Sequence, residues 1–147
     1  MTSLGTRRWV FVDTAAFFAL ADEGQALHKA AVQIQLRLVR ERWQMFTTNF
    51  VMAETHALVL RRRGRVDALR LLTELDGSGS LGALNIVRVE PEDEVRAREI
   101  IRQYDDKDFS LTDATSFAVM ERLGISTAFT FDRNFAQYGL DVLSPQS

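Results

Sequence analysis

The sequence predicts an α/β fold, a three-layer sandwich whose central sheet has four to five strands and is mainly parallel. Two observations carry that prediction. Short β-branched and aromatic runs alternate with longer segments of helical periodicity, and strands spaced by helices imply βαβ crossovers that cover both faces of the sheet. The 147 residues, 46% apolar and 26% charged, have the length and balance of one globular domain, so residues 1–147 are read as a single unit.

Trp9–Asp13 is the first strand, a run of aromatic and β-branched residues ended by an acid. Thr14–Leu20 reads as one or two helical turns, broken by Gly24. Leu27, Ala30, Ala31, Ile34 and Leu38 recur at helical spacing, which predicts an amphipathic helix over Ala26–Arg42. Trp43–Thr47 is a second strand. Thr48 or Asn49 can cap a helix running to Arg63, where Gly64 supplies the stop. Val66–Leu75 is a further helix, closed by the glycine-rich loop Gly77–Gly82. That loop follows a helix rather than a strand and lacks a P-loop lysine, which argues against a phosphate cradle.

Leu84–Val89 is the third strand. Pro91 suits the first turn of a helix over Glu92–Tyr104, and the acidic start of that helix suits its dipole. The polar loop Asp105–Asp108 leads to a helix over Leu111–Leu123, stopped by Gly124. Thr127–Phe131 is a fourth strand and Asp141–Leu143 a weak fifth.

Composition excludes several chemistries. There is no cysteine, hence no disulfide, thiol nucleophile, iron–sulfur cluster or thiolate zinc site, and two histidines cannot fill a three-histidine zinc site. Any metal would be held mostly by oxygen, from the 20 Asp and Glu residues. The net charge of −2 gives no global sign of a nucleic-acid partner. Of the 18 basic residues all but Lys29 and Lys107 are Arg, a bias compatible both with phosphate binding and with a GC-rich genome. Arg7 and Arg8 precede an apolar stretch that ends in Ala19-Leu20-Ala21. Asp13 interrupts that stretch, leaving no clean h-region of roughly 7–15 residues, and nothing approaches the ~20 apolar residues of a membrane helix. A cytoplasmic protein with no membrane partner is expected.

Four carboxylates carry the functional reading. In an open α/β sheet ligands bind at the carboxyl ends of the strands. Asp13 closes the first strand and Asp132 lies just past the fourth. Asp113 sits in the first turn of its helix, and Glu54 borders a helix face, with Phe50, Val51, Ala57 and Leu58, that should pack inward. Each has a plain structural alternative. Asp13 can cap the following helix, Ser110 and Asp113 have capping-box spacing, Asp132 can cap the segment Asn134–Gln137, and Glu54 can pair with Arg61 or face water. Acids converging at one sheet edge would need a cation between them. Phosphoryl transfer uses such a cluster, because Mg²⁺ or Mn²⁺ takes oxygen ligands, neutralises phosphate charge and activates water.

Val12-Asp13-Thr14, Ala53-Glu54, Ser110-Leu111-Thr112-Asp113-Ala114 and Thr130-Phe131-Asp132-Arg133-Asn134-Phe135 resemble, in order and spacing, the motifs of the PIN-domain nucleases. The resemblance is closest to the VapC-type toxins of bacterial toxin–antitoxin pairs and covers nearly the whole chain. It implies a PIN-like α/β/α sandwich and a Mg²⁺- or Mn²⁺-dependent endoribonuclease. Asp13 and Asp113 would hold the metal directly, Glu54 and Asp132 would complete the pocket, and Thr14 and Thr130 would line it. It further implies a homodimer, an RNA substrate and a small antitoxin partner.

Substrate contacts are less legible. Arg133 adjoins Asp132 and is the better placed to touch a phosphate near the metal. Arg61-Arg62-Arg63-Gly64-Arg65 is a basic cluster that a helix dipole alone would favour, and RNA contact stays equally open for it. His28 and His56 are assigned to structure or surface, and Asp108 to loop solvation. Three rivals stay open: a PIN nuclease of RNA processing that is no toxin, a non-catalytic RNA- or protein-binding module, and an aspartyl phosphatase. The last ranks lowest, because that chemistry wants a second Asp two residues after Asp13, where Ala15 stands.

Overall fold

A computed structural model describes residues 8–78 and 84–145. Arg7 and the loop residues from Gly79 to Gly82 lie outside the described residues. The elements run β1 (Trp9–Val12), α1 (Thr14–Ala21), α2 (His28–Arg40), β2 (Gln44–Thr48), α3 (Asn49–Arg63), α4 (Arg65–Thr73), β3 (Leu84–Val87), α5 (Pro91–Gln103), α6 (Leu111–Leu123), β4 (Thr127–Phe129), α7 (Arg133–Tyr138) and β5 (Asp141–Val142). A π-helical turn, Glu74–Ser78, follows α4.

The five strands form one sheet in the order β3-β2-β1-β4-β5, and every pairing is parallel rather than mainly so. The chain builds outward from β1 through β2 to β3, then returns to place β4 on the other side of β1. Right-handed crossovers therefore put α1–α4 on one face and α5–α7 on the other. The contacts agree: α1 packs on α2 and α3, α3 on α4, α5 on α6, and α6 on α7. The strand order reverses between β1 and β4, which opens a crevice at their carboxyl ends.

Val10, Phe11, Val12, Ala128 and Phe129 are all buried, as strands covered on both faces require. Phe117 of α6 meets Phe135 of α7 edge to face at 4.9 Å and stacks on Tyr138 at 4.4 Å. Residues 113–120 of α6 are buried without interruption. A helix enclosed all round is a rigid base, and Asp113 stands in its first turn.

Several ends differ from the expected ones for local reasons. β4 stops at Phe129, two residues early, because the Thr130 hydroxyl turns to Asp13 and to the Asp132 backbone. Trp43 falls outside β2, after Arg42, which takes a left-handed φ of 62°. Thr48 is the cap of α3, accepting from Val51 N at 3.0 Å, while the Asn49 amide oxygen accepts from Val89 N. Gly64, at φ 93°, ends α3 and begins α4. Among the described residues no helix is long and apolar enough to cross a membrane.

Candidate active site

The crevice between β1 and β4 holds a cavity of about 260 Å³, lined by Asp13, Glu54, Asp113, Asp132 and Thr14. The four acids singled out from the sequence, three at strand ends or helix starts and Glu54 in the second turn of α3, therefore share one space. How each is held separates its structural role from its availability for chemistry.

Asp13 occupies the N-cap position of α1, yet its side chain makes no capping hydrogen bond. Its backbone N–H donates to the Phe129 carbonyl at 3.1 Å, and Thr47 Oγ1 donates to the Val12 carbonyl just before it at 2.8 Å. Those bonds extend the sheet to the foot of the carboxylate. The buried Thr130 hydroxyl then donates to Asp13 Oδ2 at 2.9 Å and accepts from the Asp132 N–H at 2.9 Å. One threonine thus sets both the first and the last acid.

Asp113 does complete the expected capping box: its N–H donates to Ser110 Oγ at 3.0 Å, and its Oδ2 accepts from Ser110 N at 3.1 Å. The same Oδ2 accepts from Asn134 Nδ2 at 2.9 Å. Asp132 caps α7, its Oδ1 accepting from Asn134 N at 2.9 Å. Capping and lining the cavity are compatible, because each cap bond engages a single oxygen of the acid that makes it. Glu54 is exposed, beside the buried Val51 and Thr55 of α3, and of its two structural alternatives the ion pair with Arg61 is not formed. Its Oε1 accepts from Thr14 Oγ1 at 2.7 Å.

Electrostatics sets Asp13 apart. Burial, at 3% exposure, and the charges of Asp113 and Asp132 push its carboxyl up to about 7, against the hydrogen bonds from Thr130 and Thr14. Asp113 is also raised, by burial first and then by the charge of Asp132, while Asn134 and Ser110 pull it down. The charges that weigh most on both are those of neighbouring acids. Buried acids raised by acidic neighbours in this way are poised for a positive ligand.

Among the described residues no three acidic or histidine side chains gather tightly enough to ligate a single ion together. The donor set fits a hard cation that takes one or two carboxylates and otherwise keeps water, and it does not fit a closed all-protein cage. Asp13 and Asp113, both buried, are the pair suited to hold Mg²⁺ or Mn²⁺.

The PIN-domain model matches residues 10–140 of the chain. The chain belongs to the PIN-domain family. VapC20 of Mycobacterium tuberculosis, a 23S rRNA-specific endonuclease, is 32% identical over 145 residues, covering 93% of this chain and 99% of the relative. Its crystal structure, described as that of a sarcin–ricin loop cleaving toxin, matches with a TM-score of 0.81 at 31% identity, over 92% of this chain and 99% of that one. FitAcB from Neisseria gonorrhoeae matches with a TM-score of 0.69 at 15% identity, over 93% and 98%, a likeness of fold alone.

Within this PIN domain the sequence located the four acids and the two threonines, and the structure brings them together. Arg133 is different: it is the exposed first residue of α7 and does not line the cavity. One role was missed: Asn134 bridges two acids, which depends on α7 folding back over Asp113. Of the basic cluster left open between solvent and RNA, Arg61 lines the cavity, seven residues from Glu54 on the same helix face.

Proposed function

We propose that this PIN domain is a Mg²⁺- or Mn²⁺-dependent endoribonuclease that hydrolyses RNA phosphodiester bonds as the toxin of a toxin–antitoxin pair. The observation that carries the reading is Asp13. It is a buried carboxylate, unused as a cap, whose nearest charged influences are two more acids in the same cavity.

Bound there, a divalent cation would supply charge neutralisation of the phosphate and a more acidic water. The chain's own residues do the rest. Thr130 fixes Asp13, while Ser110 and Asn134 fix Asp113, so two ligand oxygens are held without reorganisation. Thr14 holds Glu54 by Oε1 at the open side, leaving Oε2 to take a proton from the attacking water. Asp132, locked as the cap of α7, adds negative charge that favours the cation. One divalent ion also cancels the net charge of −2, so RNA meets a less repellent surface than the bare chain presents.

The VapC20 likeness supports the toxin reading and makes 23S rRNA the first RNA to inspect. A small antitoxin partner, a homodimer and a cytoplasmic setting belong to the same proposal through the family resemblance. The test is to express the wild type and Asp13→Asn in bacterial cells and map new RNA 5′ ends. Growth arrest with ends confined to the wild type supports the reading; identical ends in both variants overturn it.

A further inference from the structure

Three arginines end α3, and the helix sends them to different places. Arg63 is committed within the fold, its Nη1 pairing with Asp22 at 3.1 Å and its Nε with Asp67 at 3.0 Å. Arg62 is exposed and does not line the acid cavity. Arg61 does line it, seven residues after Glu54 and three after Leu58, which lines it as well. It is the one basic side chain among the described residues that border the four acids.

Two ordinary explanations fall short. The dipole of α3 favours a cation anywhere in its last turn, so it accounts for all three arginines without selecting Arg61. Neutralising the acids is the other. None of the ion pairs among the described residues joins Arg61 to any of the four acids. An exposed guanidinium that borders a ring of carboxylates without closing on one has its donor fork available to an anion. An RNA strand needs such a donor, since its phosphates must otherwise approach four carboxylates unaided.

We propose that Arg61, rather than Arg133, grips a phosphate of the RNA strand at the mouth of the acid cavity and seats the strand over Asp13 and Asp113. The inference rests on the nuclease reading and names the substrate contact of that same site. Arginine suits the task because its planar fork takes two phosphate oxygens at once, where lysine offers a point charge.

The test uses Asp13→Asn protein, which binds without cutting, and a fluorescein-labelled single-stranded 16-nucleotide RNA of mixed sequence, in Mg²⁺ and between 50 and 200 mM KCl. One lost phosphate contact lowers the slope of log affinity against log salt by about 0.7 for a single strand. Adding Arg61→Ala is expected to lower the slope by that amount and to weaken binding about tenfold at the lowest salt. Arg61→Lys should keep the slope, and Arg62→Ala should change neither quantity. In the cleaving background Arg61→Ala should lower kcat/KM about 10- to 100-fold with the melting temperature unchanged, which a dipole role would not produce. An unchanged slope with Arg61→Ala, or a loss found only with Arg133→Ala, overturns the inference while RNA cleavage by the wild type leaves the nuclease reading standing. Failure of the wild type to cut any RNA overturns both.

Discussion

Asn134 Nδ2 donates to Asp113 Oδ2 at 2.9 Å, joining the start of α7 to the start of α6 across the cavity. The same residue's N–H donates to Asp132 Oδ1, so one asparagine orients two acids with its side chain and its backbone. Only the side-chain bond is open to mutation. Asn134→Ala should leave the Asp132 cap intact and leave the Asp113 carboxylate held by Ser110 N alone. Outer partners of metal ligands typically contribute 10- to 100-fold in affinity or rate. Asn134→Ala should therefore raise the Mg²⁺ concentration for half-maximal cleavage by roughly that factor, while changing the melting temperature little. A metal titration of RNA cleavage reads the first quantity and a thermal melt the second.

Asp13→Asn should separate stability from activity. The Asp13 carboxyl is raised to about 7 in the fold, against an ordinary value of 3.8. The protonated form is thus favoured by folding. Its contribution is fully present below pH 4 and is lost as pH rises through about 7, so the metal-free wild type should lose roughly 2–4 kcal/mol over that window. Asparagine keeps a carbonyl oxygen for the Thr130 hydroxyl and carries no charge. Urea melts in EDTA at pH 8 should show Asp13→Asn more stable than the wild type, with the difference vanishing near pH 4. RNA cleavage by the same variant should be lost.

The Asp93–Arg122 pair predicts the opposite pH behaviour at a site remote from chemistry. Arg122 Nε donates to Asp93 Oδ1 at 2.9 Å and Nη2 to Oδ2 at 2.8 Å, tying α6 to α5, and Glu90 N adds a third bond at 2.8 Å. Burial pushes the Asp93 carboxyl up, but the bonds from Arg122 and Glu90 outweigh it and hold it below its ordinary value. A lowered carboxylate contributes stability above its unfolded value, about pH 4, and loses it as pH falls through the lower folded value. Arg122→Ala leaves a carboxylate at 3% exposure without its cation. Because the arginine itself is 36% exposed, the cost should be about 2–3 kcal/mol rather than the full penalty of a buried pair. Urea melts at pH 7 and pH 3 should show that cost shrinking in acid.

These contrasts explain which features could be read before the structure. β1, β2 and α6 were legible because enclosed strands and an enclosed helix must be apolar, and the acids at their ends then stand out as interruptions. Asp13 and Asp113 are such interruptions, and Asp132 stands out in the same way after β4. Glu54 was singled out as bordering an inward-packing face of α3, and the structure has that arrangement: Val51 packs inside while Glu54 is exposed at the cavity mouth. Arg133 was favoured because it adjoins Asp132 in sequence. α7, however, begins at that point, and a helix turns consecutive side chains by about 100°. Asn134 could not be assigned its role from sequence, since its bond to Asp113 spans 21 residues and depends on α7 folding back on α6.

Asp13 must give up its proton to bind a cation, and its carboxyl is raised to about 7, so binding should strengthen as pH rises through that value. Stabilisation by a ligand follows RT ln(1 + [L]/Kd), about 2.7 kcal/mol at a hundredfold excess over Kd. Titrating Mg²⁺ or Mn²⁺ into metal-free wild type should therefore raise the melting temperature at pH 8 more than at pH 6. Asp13→Asn removes both the ligand and the proton, so its response should be weaker and independent of pH over the same range. An equal shift in both proteins at both pH values would move the cation away from Asp13, to exposed acids such as Asp105 and Asp106 in the loop before α6.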